Sequence, residues 1–302
     1  MDIRQMQYLV ALARERHFTR AAQSCEVTQP TLSERIRQLE TELDVAIVER
    51  GQRFHGFTEE GERVLKWARV ILDNWSALNQ EIAMMRDRRN SVAGRLTIGV
   101  IPSALPVAAT LVSAIRAAHP NIDATVLSAP SSDILRQLDA FQIDAGITYL
   151  DNESVAGFTM RPLYRERYAL FVRDDHPLAG RSAVTWAEVG LHPLALLTPD
   201  MQNRRIVDRA FASVGATPRP HVETNSLINL CASVRESGLA AVMPEYVART
   251  LSMARIRAVP LTEPVLEHEV GIVAIGREPM PPLVALALEV AVSLETHTGA
   301  LS

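Results

Sequence analysis

Polar side chains near residue 30 have the chemistry needed to contact the edges of nucleic-acid bases. The amide of Gln29 can form two hydrogen bonds to adenine, and the hydroxyls of Thr31 and Ser33 can bond to several bases. The ring of Pro30 offers apolar contact to a thymine methyl. The candidate DNA-binding residues in this segment are Thr28, Gln29, Pro30, Thr31, Ser33, Arg35 and Arg37. The alternative is an ordinary amphipathic helix with a solvated polar face.

Three short helices are predicted to position these residues. Residues 3–13 repeat apolar side chains every three or four positions, and a second helix is predicted from Thr19 as N-cap. The third is predicted from Thr28 as N-cap, with Leu32, Ile36, Leu39 and Leu43 as its buried stripe. Since only Glu26 and Val27 separate the last two helices, they are predicted to form a helix-turn-helix whose second helix enters the major groove.

Residues 49–58 are predicted to form a β-hairpin wing after these helices. The segment contains glycine, histidine and two arginines, Arg50 and Arg53, which could lie against phosphates or in a minor groove. A solvated surface loop is the alternative. We therefore expect a DNA-binding domain over residues 1–58.

A seven-residue apolar repeat follows the wing and predicts one long helix over residues 59–90. Thr58 can cap it, and Glu59, Glu60 and Glu62 suit its positive N-terminal end. The repeat consists of Val64, Ala68, Ile71, Trp75, Leu78, Ile82 and Met85. Such a seam favours pairing with a second copy of the chain, which would present two helix-turn-helix units to a palindromic site. Residues 86–94 are interpreted as the hinge to the next domain.

Residues 91–302 alternate predicted strands and helices, which is typical of a parallel α/β sheet. Strands are expected near residues 96–100, 124–127, 145–149, 168–172 and 194–197. Two such sheets in one domain predict two lobes with a cleft between them. Lobe I is expected at about 91–163 and 268–302, and lobe II at about 164–267. The fold class is α plus α/β.

Hydroxyl residues at the predicted strand-to-helix turns indicate a site for a small organic anion in this cleft. Hydroxyls beside free backbone N–H groups at helix starts favour a carboxylate, although each could be a simple N-cap. The candidate effector-binding residues are Ser103, Ser131, Ser132, Thr148, Thr198, Pro199, Met201 and Asn225, and Arg204 is a secondary candidate.

The sequence predicts neither catalysis nor metal binding nor a cofactor. Its eight histidines have no metal-ligand spacing, and it lacks nucleophile-elbow and phosphate-loop motifs. Its 47% hydrophobic content and net charge of -4 exclude whole-chain disorder. The longest apolar run, residues 283–294, is interrupted by Glu289 and is shorter than the roughly 20 residues of a membrane span. Without a signal-peptide pattern at the N-terminus, a cytoplasmic location is expected.

Taken together, these motifs resemble the LysR-type transcriptional regulators over essentially the whole chain. The matching positions are 18–22, 27–33 and 36–40, with Arg50, Arg53, Thr58 and Gly61 at the wing and the start of the linker helix. In the second half they are Leu138, Ile143, Asp144, residues 176–178, Glu223 and residues 238–239.

This resemblance implies a winged helix-turn-helix, a dimerising linker helix and a two-lobed effector domain resembling periplasmic binding proteins. It implies homotetramers on promoter DNA with an imperfect palindrome, DNA bending that a small-molecule inducer relaxes, and RNA polymerase as a partner. By position, Gln29, Pro30, Thr31 and Ser33 would contact bases, Arg50 and Arg53 would serve the wing, and Ser103 and Thr198 would line the effector cleft.

Several positions depart from the family pattern. Val48 replaces a common phenylalanine, and His55 and Phe57 replace common apolar wing residues, so altered wing packing is expected. Near the first lobe, residues 129–130 and Phe141 also differ, which prevents transfer of an effector from better-known relatives.

Two other classes of function compete with this interpretation. The last two thirds of the chain suit a solute-binding protein, but the missing signal peptide and the first 90 residues argue against it. A thiol redox switch would need two cysteines within about 4.4–6.8 Å between Cα atoms. Cys25 and Cys231 are predicted to lie in different domains and to be buried apolar residues.

Overall fold

The computed structural model describes residues 1–49, 54–86, 92–151, 155, 157–250 and 254–298. The chain divides into two compact units. The first comprises Met1–Val92 with Asp139–Gln142 and Pro279–Pro282, and the second comprises the rest of residues 93–302. None of the described helices is long and apolar enough to cross a membrane.

The first unit begins with three short helices, α1 (Ile3–Glu15), α2 (Phe18–Ser24) and α3 (Gln29–Leu43). As predicted, Thr28 caps α3, because its hydroxyl accepts a hydrogen bond from the backbone N–H of Thr31. The predicted start of α2 is wrong. Its N-cap is His17, whose Nδ1 accepts from the N–H of Thr19, so Thr19 already lies inside the helix.

Small side chains on α2 let α3 approach closely. Ala21 and Ala22 are almost fully buried and pack in one cluster with Leu12, Leu32 and Ile36. On α3 the buried residues recur every three or four positions, which gives the helix one core-facing side and leaves its other side to solvent.

The described part of the predicted wing is a single antiparallel bridge between Val48 and Phe57 rather than a regular hairpin. The Glu40 carboxylate holds the start of this segment, since its Oε1 accepts from the N–H groups of Ile47 at 2.7 Å and Val48 at 3.0 Å. The ring of Phe57 packs edge-on against Phe54 at 5.1 Å between centroids.

The linker helix is α4 (Glu59–Arg86), and Thr58 caps it by accepting from the N–H of Gly61 at 2.9 Å. Part of the predicted dimer seam is wrong. Ala68 is completely buried within its own protomer, in a cluster with Leu65, Leu39 and Leu9, and Val64 packs against the same cluster. A heptad repeat has the same spacing whether the helix packs on a partner or on its own domain, so the pattern could not separate the two.

The second unit consists of mixed α/β elements around one continuous sheet. Its strands are β1 (Gly94–Val100), β2 (Ile122–Ser128), β3 (Ala145–Tyr149), β4 (Phe158–Arg173), β5 (Val184–Thr185), β6 (Leu194–Leu197), β7 (Pro220–Thr224), β8 (Ala240–Pro244), β9 (Ile256–Thr262) and β10 (Glu267–Ile275). Its helices are α5 (Leu105–Ala118), α6 (Ser131–Asp139), α7 (Trp186–Val189), α8 (Gln202–Ser213), α9 (Leu227–Ser237), α10 (Val247–Thr250) and α11 (Pro282–Thr298). A short 3-10 turn over Pro102–Ala104 precedes α5.

Two groups of parallel strands lie at opposite ends of this sheet, whose order is β2-β1-β3-β10-β4-β8-β6-β7. β1 is parallel to β2 and β3, and β6 is parallel to β7 and β8, as predicted for α/β lobes. The prediction of wholly parallel sheets is wrong, because β10 pairs antiparallel with both β3 and β4. β4 joins the two groups, pairing with β10 through its first part and with β8 and β9 through its last part.

Candidate functional site

The exposed side of α3 carries the predicted base-contacting residues. Gln29, Pro30, Thr31 and Arg37 are exposed, opposite the buried face of the helix. Gln29 Nε2 donates to Ser33 Oγ at 2.8 Å, and the Thr28 and Thr31 hydroxyls are 2.8 Å apart. These side chains form one hydroxyl- and amide-rich surface over the first turn and a half of the helix, the region that reaches base edges in helix-turn-helix proteins.

The predicted DNA-contacting arginines differ in their surroundings. Arg35 Nη1 lies 3.4 Å from both Asp2 Oδ2 and Gln38 Oε1, so its charge is partly engaged within the protein. Arg37 is exposed and has no ion pair with any described residue, which leaves it available for a phosphate. Arg50 and Arg53 lie outside the described residues.

The C-terminal half of α4 exposes the remaining apolar residues of the repeat. Trp75 and Leu78 are each 46% exposed, Ile82 is 36% exposed and Met85 is 78% exposed, while Ile71 is half-buried. Large apolar side chains that recur on one side of an exposed helix are typical of a surface that pairs with another protein.

In the second unit a narrow cavity lies where several strands end. Its volume is about 10 Å³, enough for the centre of one water-sized molecule. The lining residues follow the carboxyl ends of β1, β2, β3 and β6, and they are Ile101, Pro102, Ser103, Pro130, Ser131, Tyr149, Leu197, Met201, Gln202 and Asn203. This is the place where parallel α/β sheets bind ligands.

The cavity brings together only part of the predicted effector set. Ser103, Ser131 and Met201 line it, and Thr148 lies directly behind, with its hydroxyl hydrogen-bonded to that of Ser131. Four predicted residues do not line it, namely Ser132, Thr198, Pro199 and Asn225. Ser132, Pro199 and Asn225 are exposed. The secondary candidate Arg204 is bound within the fold, donating to Leu197 O at 2.7 Å and Glu223 Oε1 at 2.6 Å.

A fully buried carboxylate behind the cavity was missed by sequence reasoning. Glu166 on β4 is 1% exposed and accepts hydrogen bonds from Tyr149 Oη at 2.5 Å, Tyr164 Oη at 3.0 Å and Tyr168 Oη at 3.3 Å. Ser103 also hydrogen-bonds to it. Burial raises the pKa of the Glu166 carboxyl above its ordinary value, although these hydroxyl donors oppose the rise.

The three phenols around Glu166 remain protonated and therefore act as hydrogen-bond donors. Burial, together with the nearby Glu166 charge, raises the pKa of Tyr149, Tyr164 and Tyr168 well above the usual value. A signal for this cluster was present in the sequence, since residues 164, 166 and 168 alternate along a strand and so share one face. Their tertiary partner Tyr149 was not predictable from that pattern.

Within the described part of the chain, two buried polar atoms near the cavity have no hydrogen-bond partner. Gln202 is 3% exposed and lines the cavity, and its Nε2 is unsatisfied, while its Oε1 accepts from Arg205 Nε at 2.6 Å. The other atom is the hydroxyl oxygen of Thr198. A buried amide donor without a partner is costly, so it marks a place where a ligand or water can bind.

Comparison with known proteins identifies the family of both units. Residues 3–62 match the model of the bacterial regulatory helix-turn-helix protein, lysR family. Residues 89–294 match the LysR substrate binding domain.

Curated relatives of the chain are transcriptional regulators. It is 37% identical over 198 residues to a "Hydrogen peroxide-inducible genes activator" of Dickeya chrysanthemi and to the "DNA-binding transcriptional dual regulator OxyR" of Escherichia coli K12. These matches span 65% of the chain and 64% of each relative, which is less than two thirds of their length. A "Hydrogen peroxide-inducible genes activator" of Haemophilus influenzae is 33% identical over 247 residues, covering 81% of the chain and 80% of the relative.

Solved structures share the same fold. A full-length variant of OxyR from Pseudomonas aeruginosa superposes with a TM-score of 0.78 at 25% identity, over 96% of this chain and 94% of that one. CbnR in complex with its target DNA has a TM-score of 0.68 at 20% identity, over 97% and 100%. The matched families contain regulators and not enzymes. The chain belongs to the LysR family of bacterial transcriptional regulators, with a helix-turn-helix DNA-binding unit and an effector-binding domain.

Proposed function

We propose that this regulator reads a promoter palindrome through α3 and changes transcription when a small effector enters the cavity of its second unit. The observation that carries the proposal is the exposed surface of Gln29, Thr31 and Arg37 on a helix whose opposite face is locked into the core. Side-chain amides and hydroxyls on such a helix provide direct base contacts, and Arg37 provides a phosphate contact. Arg50 and Arg53 of the wing are proposed to add further backbone contacts.

Self-association would place two such helices on one DNA site. The exposed residues Trp75, Leu78, Ile82 and Met85 of α4 support pairing with a second copy, and two-fold pairing matches an imperfect palindrome. By extension from the family, the proposal includes a homotetramer that bends DNA and has RNA polymerase as a further partner. No cofactor is part of it.

The effector is proposed to be a small organic acid or a molecule of similar size. α8 begins at the cavity without a side-chain cap, so its first N–H groups are free to bind an acceptor. α6 begins there as well, at Ser131. The cavity itself admits one water-sized molecule, so any larger ligand would require the two ends of the sheet to move apart.

A gel-shift titration against the DNA upstream of the protein's own gene tests the DNA-binding proposal. We expect specific binding that survives an excess of random DNA at two salt concentrations. Gln29→Ala should lower specific affinity, whereas Gln38→Ala should not, although Gln38 lies exposed on the same helix. Equal loss of specific and random binding in the Gln29 variant would refute base reading by this helix.

Relatives named as peroxide-inducible activators raise a second candidate, a response to peroxide through thiol oxidation. The chain has two cysteines, and residues 93–302 contain only Cys231, so a disulfide within that unit is impossible. The Cys231 side chain is buried, and burial raises the pKa of its thiol, which keeps it protonated and unreactive. We expect peroxide to leave the gel shift unchanged in both the natural protein and Cys231→Ser. A peroxide response lost in Cys231→Ser would establish the thiol mechanism instead.

A further inference from the structure

Among the described residues, the wall of the cavity contains no cationic side chain to neutralise an anion. The lining consists of five apolar residues, two prolines among them, together with two serines, one tyrosine and two amides. Arg204, which follows the lining residue Asn203, is already paired with Asp208 and Glu223 and bound to the Leu197 carbonyl.

A buried acid lies directly behind this wall. Glu166 is bonded by Ser103 and Tyr149, and both of these residues line the cavity. Hence a single layer of hydroxyl groups separates a buried carboxylate from the space where a ligand would bind. The other described groups around Glu166 do not supply a compensating cation, since Tyr164 and Tyr168 are phenols and Asn203 is an amide.

His268 on β10 is a further titratable side chain next to this cluster. Its ring makes edge-on contacts with Tyr149 and Tyr168, each at 6.2 Å between ring centroids, and it is not among the residues that line the cavity. Its Nδ1 lies 3.0 Å from Asp151 Oδ2, so an acidic partner already balances any charge it acquires.

We propose that the cavity binds its effector in an uncharged form, as a small amide-like or carbonyl-containing molecule or as the protonated form of an organic acid, and discriminates against carboxylate anions. This inference rests on the proposed function only in treating the cavity as the effector site.

The recognition chemistry follows from the polar atoms of the wall. The unpartnered Nε2 of Gln202 is a donor and calls for an acceptor such as a carbonyl oxygen. The hydroxyls of Ser103 and Ser131 can donate or accept, and so can pair with an amide N–H or a carboxylic O–H. The apolar walls of Ile101, Leu197 and Met201 favour a ligand that carries no net charge.

The positive N-terminal ends of α6 and α8 do not reverse the preference for uncharged ligands. The N-termini of α6 and α8 each carry about half a positive charge. An ionised Glu166, which accepts a hydrogen bond from the wall residue Tyr149, offsets these partial charges. A second carboxylate, two hydrogen bonds away at about 6 Å, would be opposed by roughly a hundredfold in affinity at an effective dielectric constant of about 20. Because the partial positive charges of the helix N-termini offset part of this repulsion, we expect uncharged ligands to bind at least tenfold more tightly than the matching carboxylates.

Pairs of ligands with the same shape and different charge test the proposal on the full-length protein. Formamide is compared with sodium formate, and acetamide with sodium acetate, at about pH 8, where both acids are ionised. Sodium chloride keeps the ionic strength equal. Binding is followed by saturation-transfer NMR and by the thermal unfolding midpoint, up to about 100 mM, since ligands of three or four heavy atoms bind no more tightly than roughly millimolar.

We expect the amides to bind at least tenfold more tightly than the matching carboxylates. Glu166→Gln should raise carboxylate affinity at least tenfold and change amide affinity less than threefold. Glu236→Gln, which removes an exposed charge on α9, should change neither. Should Glu166→Gln fail to fold, the comparison in the natural protein still decides the question.

Carboxylates that bind as well as the amides, or no binding by either, would overturn the proposal. Failure of the proposed function would look different. In that case the amides bind with the expected selectivity, yet a gel shift with promoter DNA is absent or unaffected by them.

Discussion

Replacing Gly61 with alanine should weaken the packing of the linker helix α4 against the helix-turn-helix core. A Cβ at this position would lie 2.0 Å from the carbonyl oxygen of Ile47 and 2.9 Å from its carbonyl carbon. Both are backbone atoms, so no flexible side chain can move aside. The same oxygen accepts from the N–H of Thr58 at 3.0 Å, which ties the strained contact to the residue that caps α4.

The magnitude follows from the packing around this contact. Restoring an ordinary separation of about 3.4 Å requires a movement of more than 1 Å between α4 and the wing, where Ile47, Leu65 and Ala68 are almost fully buried. Overpacking of this kind costs roughly 1–3 kcal/mol. Alanine is favoured over glycine in a helix by about 1 kcal/mol, so the expected net loss of stability is about 0–2 kcal/mol.

Hydrogen exchange measured by mass spectrometry on the full chain localises this effect. Peptides covering residues 44–72 should exchange faster in Gly61→Ala, while peptides of α8 should not change. Ser76→Ala lies exposed on the same helix and should be neutral or slightly stabilising. Unchanged exchange at 44–72, or a variant more resistant to urea than the natural protein, would refute the reasoning.

Four further predictions address DNA binding, self-association and the buried carboxylate. Gln29→Ala should cost roughly 1–3 kcal/mol at the specific DNA site and leave random binding intact in gel shifts; equal losses would contradict a base contact. Arg53→Ala should weaken binding to all DNA and flatten its salt dependence, and an unchanged slope would argue against a phosphate contact. Leu78→Asp, at a position 46% exposed in one protomer, should yield folded monomers in sedimentation, whereas an intact dimer would remove α4 from the interface. Burial raises the pKa of Glu166 in the folded protein, so this residue destabilises the fold progressively as the pH rises above the ordinary value of 4.5. The free energy of unfolding of Glu166→Gln in urea, relative to that of the natural protein, should therefore increase over that pH range. A difference that does not depend on pH would mean that Glu166 does not titrate there.

Local sequence rules were sufficient for most of the first unit. N-caps, turn length and a 3.6-residue apolar period act over a few neighbouring residues, so the caps Thr28 and Thr58 were predicted correctly, as were Leu32, Ile36 and Leu39 of the buried stripe of α3. The fourth predicted stripe residue, Leu43, is exposed at the end of the helix. The start of α2 was missed because an imidazole nitrogen at His17 performs the capping role that a hydroxyl usually takes.

Periodicity was less informative for α4. The heptad repeat showed that one side of the helix must be covered. It did not show whether the protein's own domain or a second copy of the chain covers it. The structure covers Ala68 with the protein's own core and leaves Leu78 exposed, since the buried cluster formed with α1 and α3 includes only the first part of α4.

The sequence by itself determined the order of the helices of the first unit and of five strands of the second, the family, and the surface of α3 that faces solvent, because each depends on neighbours along the chain. Only the tertiary structure decided the antiparallel place of β10, the absence of Ser132, Thr198, Pro199 and Asn225 from the cavity wall, and the buried cluster around Glu166. Strand register and the direction of a turn depend on pairings between distant segments: Glu166 meets Tyr149 and Ser103 only because β3, β4 and the turn after β1 converge at one place in the sheet.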